Sequence, residues 1–156
     1  MSIDYSHDKN TATLAWLSVV RVYNLCDAAM ATRLAELGLR VGDHEVLANL
    51  LRTPGMTQQE LAKRCFVAKS GISMMLTRME AQGLLRREAD TKDGRIKRLY
   101  LSDTGEPLAQ QSVAIQDEIV TLMMTPLSGA ELEAMTELSG RVSAKLEQLP
   151  TNPSIK

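Results

Sequence analysis

Residues 56–105 read MTQQELAKRCFVAKSGISMMLTRMEAQGLLRREADTKDGRIKRLYLSDTG, and this stretch decides the fold. Thr57-Gln58-Gln59-Glu60 has the form of a capping box, in which the Thr hydroxyl and the Glu carboxylate each satisfy an otherwise open backbone N–H. Leu61 and Ala62 form the apolar side of a helix that runs to about Arg64. Cys65-Phe66-Val67 makes a tight passage into a second helix, about Ala68 to Gln82, which Gly83 ends. The period then shortens. Leu84–Glu88 and Lys97–Leu101 read as two strands, and the polar, glycine-containing Ala89–Ile96 is the tip of the hairpin between them.

On a wheel of ~100° per residue, Ile72, Met75, Leu76 and Met79 gather on one side of the second helix and face the core. Ser70, Ser73, Met74, Thr77 and Ala81 fall opposite, with Lys69 and Arg78 at the margins. An outward face of small hydroxyls and one methionine suits entry into a major groove, where hydroxyls bond base edges and apolar groups touch thymine methyls. Marginal cations suit phosphates. The hairpin adds Arg86, Arg87, Lys92, Arg95, Lys97 and Arg98, with Arg95 beside Gly94 at the tip. Asp93 is placed to hold the Arg95 guanidinium through a bidentate pair, aimed at the negative potential of a narrow minor groove.

Charge distribution agrees. Thr57–Ser102 carries ten Lys/Arg against five Asp/Glu, whereas the rest of the chain carries eight against fourteen, although the formal net charge is only −1. A basic middle between acidic flanks is the footprint of a module that meets phosphates on one face.

Outward from this module the chain is helical. A stretch from about Thr11 to Leu37 has no Pro or Gly inside and Gly38 at its end. Leu14, Leu17, Arg21, Leu25, Ala28, Thr32 and Ala35 keep helical spacing along it, so one side is largely apolar or small. At ~1.5 Å per residue it is about 40 Å long, more than one small core covers. A shorter helix, about Asp43 to Leu51, buries Val46, Leu47, Leu50 and Leu51, but Arg40, Val41 and Gly42 give it a poor start. Pro54-Gly55 breaks the chain. Beyond the hairpin, a helix opens at Asp103 or Thr104, carries Leu108, Ile115, Ile119 and Leu122, and stops at Pro126. Ser128-Gly129-Ala130-Glu131 is a second capping box, and Leu132, Met135, Leu138, Val142, Leu146 and Leu149 make the stripe of the last helix, which Pro150 stops.

The expected fold is therefore mainly α with a small β-hairpin. With five aromatic residues in all, a core of Leu, Met, Val and Ala suits packed helices. No apolar run reaches the ~20 residues that span a bilayer, and Met1–Asn10 lacks a signal-peptide core, so a cytoplasmic protein without membrane contact is expected. Cys26 and Cys65 have no ligand-spaced partners, so neither metal nor cofactor is expected. His7 and His44 stand without a nucleophile or metal partner in sequence, and no phosphate loop or HExxH motif occurs, which argues against catalysis.

The stretch Met56–Ala62, the run Ile72–Leu85 and Asp90-Thr91-Lys92-Asp93-Gly94-Arg95 followed by Leu99–Gly105 resemble the MarR family of winged helix-turn-helix regulators. The resemblance covers 11–149 in element order and is sharpest over 56–105. It implies a single domain with a helix-turn-helix at 57–80, a wing at 84–102 and dimerisation helices at 11–37 and 104–149. It also implies a homodimer whose two lobes read a palindromic operator in double-stranded DNA, Asp93 and Arg95 serving as the wing pair and the Ser70–Thr77 face reading bases. With Lys69, Arg78 and Lys97, these residues make up the expected DNA surface. Gly94 stands where the family commonly has a second Arg, and Met74 where relatives are often polar, so the operator does not carry over.

The resemblance further implies release of DNA by a signal. Trp16, Tyr23 and His44 are the candidate contacts for a small-molecule effector near the joint of body and lobes. Two readings stand beside a ligand-released repressor: a redox sensor using Cys26 or Cys65, and a purely architectural DNA-binding protein. Architectural binders are usually basic overall, and this chain is not.

Overall fold

The computed structural model describes residues 9–65 and 69–149. The expected turn through Phe66 and Val67, and also His7 and Pro150, lie outside that range, and of Lys69 and Ser70 only the backbone is described. The elements run α1 (Lys9–Ala35), α2 (Val41–Arg52), β1 (Met56–Thr57), α3 (Gln58–Arg64), α4 (Lys69–Ala81), β2 (Leu85–Ala89), β3 (Lys97–Leu101), α5 (Gly105–Met124) and α6 (Gly129–Glu147).

Both capping boxes form: Thr57 Oγ1 accepts from the Glu60 N–H at 3.2 Å, and Glu60 Oε2 from the Thr57 N–H at 2.7 Å. Ser128 and Glu131 repeat the arrangement at 3.4 and 2.8 Å. Gly83 ends α4 at φ 73°, a left-handed conformation that lets the Leu84 N–H reach back to the Met79 carbonyl at 3.0 Å.

Two expectations need correction. The second helix starts at Val41, two residues before Asp43, because the Asp43 carboxylate turns back to accept the Arg40 N–H at 3.1 Å. This is the acidic half of a capping box, unrecognised because its first residue is Arg rather than Ser or Thr. The hairpin is also not alone. Residues 56–57 add a third strand, giving the antiparallel order β1-β3-β2 with β3 in the centre, Met56 opposite Leu99 and Arg87 opposite Leu99 on the other side.

One core joins these parts. Leu47, Leu50, Leu61, Ile72, Leu76, Met79 and Leu99 are fully buried, so α2, α3, α4 and the sheet share an interior. α2 also packs along α5, and α1 crosses both. Gly105 opens α5 against the wing. A Cβ there would stand 1.8 Å from the Leu84 carbonyl oxygen, and Ser102 ties the same junction by donating its N–H to that oxygen at 3.1 Å.

The terminal helices are different. Only Met30 and Leu34 of α1 are buried, and they lie off the stripe expected from Leu14 to Ala35. Leu14, Trp16, Leu17, Val19, Val22, Tyr23 and Leu25 are all exposed. α6 buries none of its residues, and Met135, Leu138, Val142, Leu146 and Leu149 face outward. Among the described residues no helix is long and apolar enough to cross a membrane.

Candidate nucleic-acid interface and effector cavity

α4 divides as its spacing predicts. Ile72, Leu76 and Met79 are fully buried and Met75 is half-buried, while Met74 is 77 % exposed and Thr77 and Ala81 face out; Ser73 is intermediate. The Thr77 hydroxyl donates to the Ser73 carbonyl at 3.0 Å. An exposed hydroxyl can both donate and accept, so it suits the donors and acceptors of base edges.

The wing sorts its cations into two sets. At the tip, Asp93 accepts from the Arg95 N–H at 3.0 Å and from the guanidinium Nε and Nη2 at 3.1 Å each, with Oδ1 and Oδ2 both engaged. The pair holds the Asp93 carboxyl below the usual carboxylate range, Arg95 being the main cause. The Arg95 side chain remains 92 % exposed. Lys92 and Lys97 are exposed beside it.

At the base the cations are structural. Arg98 donates to Asp90 and, at 2.8 Å, to the Gly55 carbonyl, which ties the hairpin to the loop before β1. Asp90 also takes the N–H groups of Lys92 and Asp93 at 2.8 and 3.1 Å. Its carboxyl is held down at about 2, chiefly by Arg98, so the pair stays ionised across the physiological range. Arg86 donates to Glu88 at 2.8 Å and to the Leu101 carbonyl, and lies 5.2 Å from the Tyr100 ring centroid. Arg87 meets Glu80 at 3.5 Å. Half of the six basic residues on the ribbon thus brace it, a division that sequence alone does not mark.

Arg78 is also occupied. Its guanidinium spans both oxygens of Asp43, whose side chain is 3 % exposed. Asp43 was missed as a site residue because its partner is 35 positions away.

A cavity of about 190 Å³ opens between α1, α2 and α5. Of the three expected contacts, Tyr23 and His44 line it, together with Cys26, Asp27, Glu45 and Gln116. Trp16 does not; it is 59 % exposed farther up α1. His44 is buried and its Nδ1 lies 3.0 Å from Ser112 Oγ, while the Ser112 hydroxyl donates to the Ala109 carbonyl at 2.9 Å. Burial pushes the His44 pKa below its ordinary value, which keeps the ring neutral at pH 7. Glu45 is raised, first by burial and then by Asp27.

The two cysteines differ. Cys26 is half-buried at the cavity, whereas Cys65 is buried with Asn49 Nδ2 at 3.7 Å from its sulfur. Burial, aided by Glu45, pushes the Cys65 thiol up to about 11.

Comparison with known proteins agrees with this geometry. A profile of the MarR family matches residues 37–96. An uncharacterized HTH-type transcriptional regulator of Bacillus cereus is 30 % identical over 109 residues, 70 % of this chain and 72 % of the relative. The transcriptional regulator HosA of Escherichia coli O111:H- is 32 % identical over 95 residues, 61 % of this chain and 70 % of HosA. Among solved structures, AbsC, a MarR family transcriptional regulator from Streptomyces coelicolor, superposes with a TM-score of 0.82 at 25 % identity, covering 92 % of this chain and 99 % of AbsC. The S. aureus MepR–DNA complex superposes with a TM-score of 0.75 at 22 % identity, over 85 % of this chain and 97 % of MepR. A helix-turn-helix with an uncharged outward face, a wing whose tip carries a braced arginine, and these relatives place the chain in the MarR family of winged helix-turn-helix, DNA-binding transcriptional regulators.

Proposed function

We propose that the chain is a homodimeric repressor that reads a pseudo-palindromic operator and leaves it when a small molecule enters the cavity between α1, α2 and α5. The observation that carries the reading is the pairing of the uncharged outward face of α4 with a fully presented Arg95 at the wing tip. Ser73, Met74 and Thr77, with Ser70 at the start of the same helix, meet base edges in the major groove, and Lys69 at its margin meets phosphate. Arg95, oriented by Asp93, enters the minor groove, and Lys97 adds phosphate contact. Two-fold symmetry puts half-site centres about one helical turn, ~10–10.5 bp, apart.

Arg95→Ala tests the wing directly. Removing one DNA-bound cation weakens operator binding and lowers the slope of log affinity against log salt by about 0.9. Titrations at several salt concentrations measure both; parallel lines of equal affinity would remove the wing from the mechanism.

The cavity adjoins His44, on the helix that carries contacts to both α4 and α5. A ligand there releases DNA only through its preference for the non-binding arrangement, and a ~100-fold loss of affinity requires ~2.7 kcal/mol of such preference. Oxidation at Cys65 has the opposite support: with the thiol at about 11, the thiolate is about one part in a thousand at pH 8. Native protein is therefore expected to leave Cys65 unlabelled by a thiol reagent at pH 8 while unfolded protein labels at once. A Cys26→Ser, Cys65→Ser double variant is expected to bind operator as wild type does. Release of wild type by peroxide, with the double variant staying bound, would turn the reading toward a redox sensor.

A further inference from the structure

Arg78 lies at the margin of the DNA-facing side of α4, where a cation would ordinarily be assigned to a phosphate. Its guanidinium is instead spread across Oδ1 and Oδ2 of Asp43, and Oδ2 also accepts the Arg40 N–H at the first turn of α2. A second contact lies one turn earlier on α4: a Cβ on Gly42 would stand 2.9 Å from Met75 Cε, so the Met75 side chain reaches α2 there too. Met75 and Arg78 are three residues apart and share a face of the helix. From these contacts we infer that Arg78 serves operator recognition as a positioning residue, clamped by Asp43 so that α4 presents Ser73, Met74 and Thr77 at a fixed angle.

The reasoning is one of cost and geometry. For Arg78 to reach a phosphate it must abandon a carboxylate that is 3 % exposed, leaving a buried charge unpaired. Two bonds between one fork and two oxygens fix rotation as well as distance, which a single contact does not. The next residue, His44, anchors the same helical turn to Ser112 of α5. The first turn of α2 therefore holds the recognition helix on one side and the helical body on the other.

This inference rests on the reading of α4 as the operator-contacting helix, and one set of titrations separates the two. The probe is a duplex recovered by the wild-type protein from a random-sequence pool, beside a duplex of unselected sequence, with affinities taken across a salt series. Arg78→Met and Asp43→Asn are each expected to weaken binding to the selected duplex about tenfold, the order of one misplaced base contact. Binding to the unselected duplex and the salt slope stay unchanged, and the double variant is no weaker than the weaker single. Arg78→Lys recovers only part of the loss, because an ammonium still pairs with Asp43 but does not fix rotation as the fork does. A slope lower by about 0.9 in Arg78→Met, with both duplexes weakened alike and Asp43→Asn unchanged or tighter, makes Arg78 a phosphate ligand and overturns the clamp. Wild-type affinity in Arg78→Met overturns it as well. Should either single variant fail to fold, the Arg78→Met, Asp43→Asn double variant, which leaves no buried charge unpaired, decides through the slope and the duplex preference. Failure of wild type to enrich any sequence overturns the operator reading and the clamp with it.

Discussion

A Leu138→Glu, Val142→Glu double variant is expected to lose self-association and, with it, operator binding by about two to four powers of ten. Both side chains are more than half exposed on α6, in line with Met135, Leu146 and Leu149, and α6 buries nothing against its own chain. The apolar residues of α1 from Leu14 to Leu25 are bare as well. Apolar surface this extensive exceeds the patches soluble monomers leave open, and a second copy is the economical cover. Two carboxylates in the centre of such an interface carry an uncompensated desolvation cost. DNA affinity then falls because each lobe must bind its half-site alone. Light scattering at micromolar concentration reads the assembly. A wild-type monomer, or a double variant still dimeric, would sink the proposal.

Leu76→Ala is expected to cost about 3 kcal/mol and to lower the thermal midpoint by roughly 6–12 °C at fixed protein concentration. Leu76 is fully buried among the side chains that hold α4 to the rest of the lobe, so its truncation leaves a cavity. Its neighbour Thr77 is exposed, with its hydroxyl bonded only to its own helix. Thr77→Ala should move stability by no more than about 0.5 kcal/mol while weakening operator binding. Adjacent residues thus separate folding from recognition. Equal midpoints for the two variants would mean that the two faces of α4 have been assigned the wrong way round.

Much of this was legible in residue order because helical period and caps are local signals. Thr57–Glu60 and Ser128–Glu131 fold as written, and the apolar spacing of Ile72, Leu76 and Met79 identifies the buried side of α4. The illegible parts are those in which distant residues meet. β1 is two residues long, too short for any period, and exists because Met56 falls opposite Leu99. The roles of Arg78, Arg86 and Arg98 depend on carboxylates and carbonyls that the fold brings to them, whereas Arg95 and Asp93, two positions apart, could be paired from the chain alone. For α1 the difficulty is of another kind. A helix apolar on several sides shows no single stripe, and its short buried segment at Met30 and Leu34 is set by where α2 and α5 lie.

Gly105 shows where this architecture leaves inheritance no room. Any side chain at that position begins inside the van der Waals shell of the Leu84 carbonyl oxygen, which belongs to backbone and cannot swing aside. On the function proposed above, drifting genes exchange operators by altering Ser73, Met74 or Thr77, and effectors by altering the lining of the cavity. Every such lineage must still carry the same codon meaning at 105, or separate the wing from the helix that follows it.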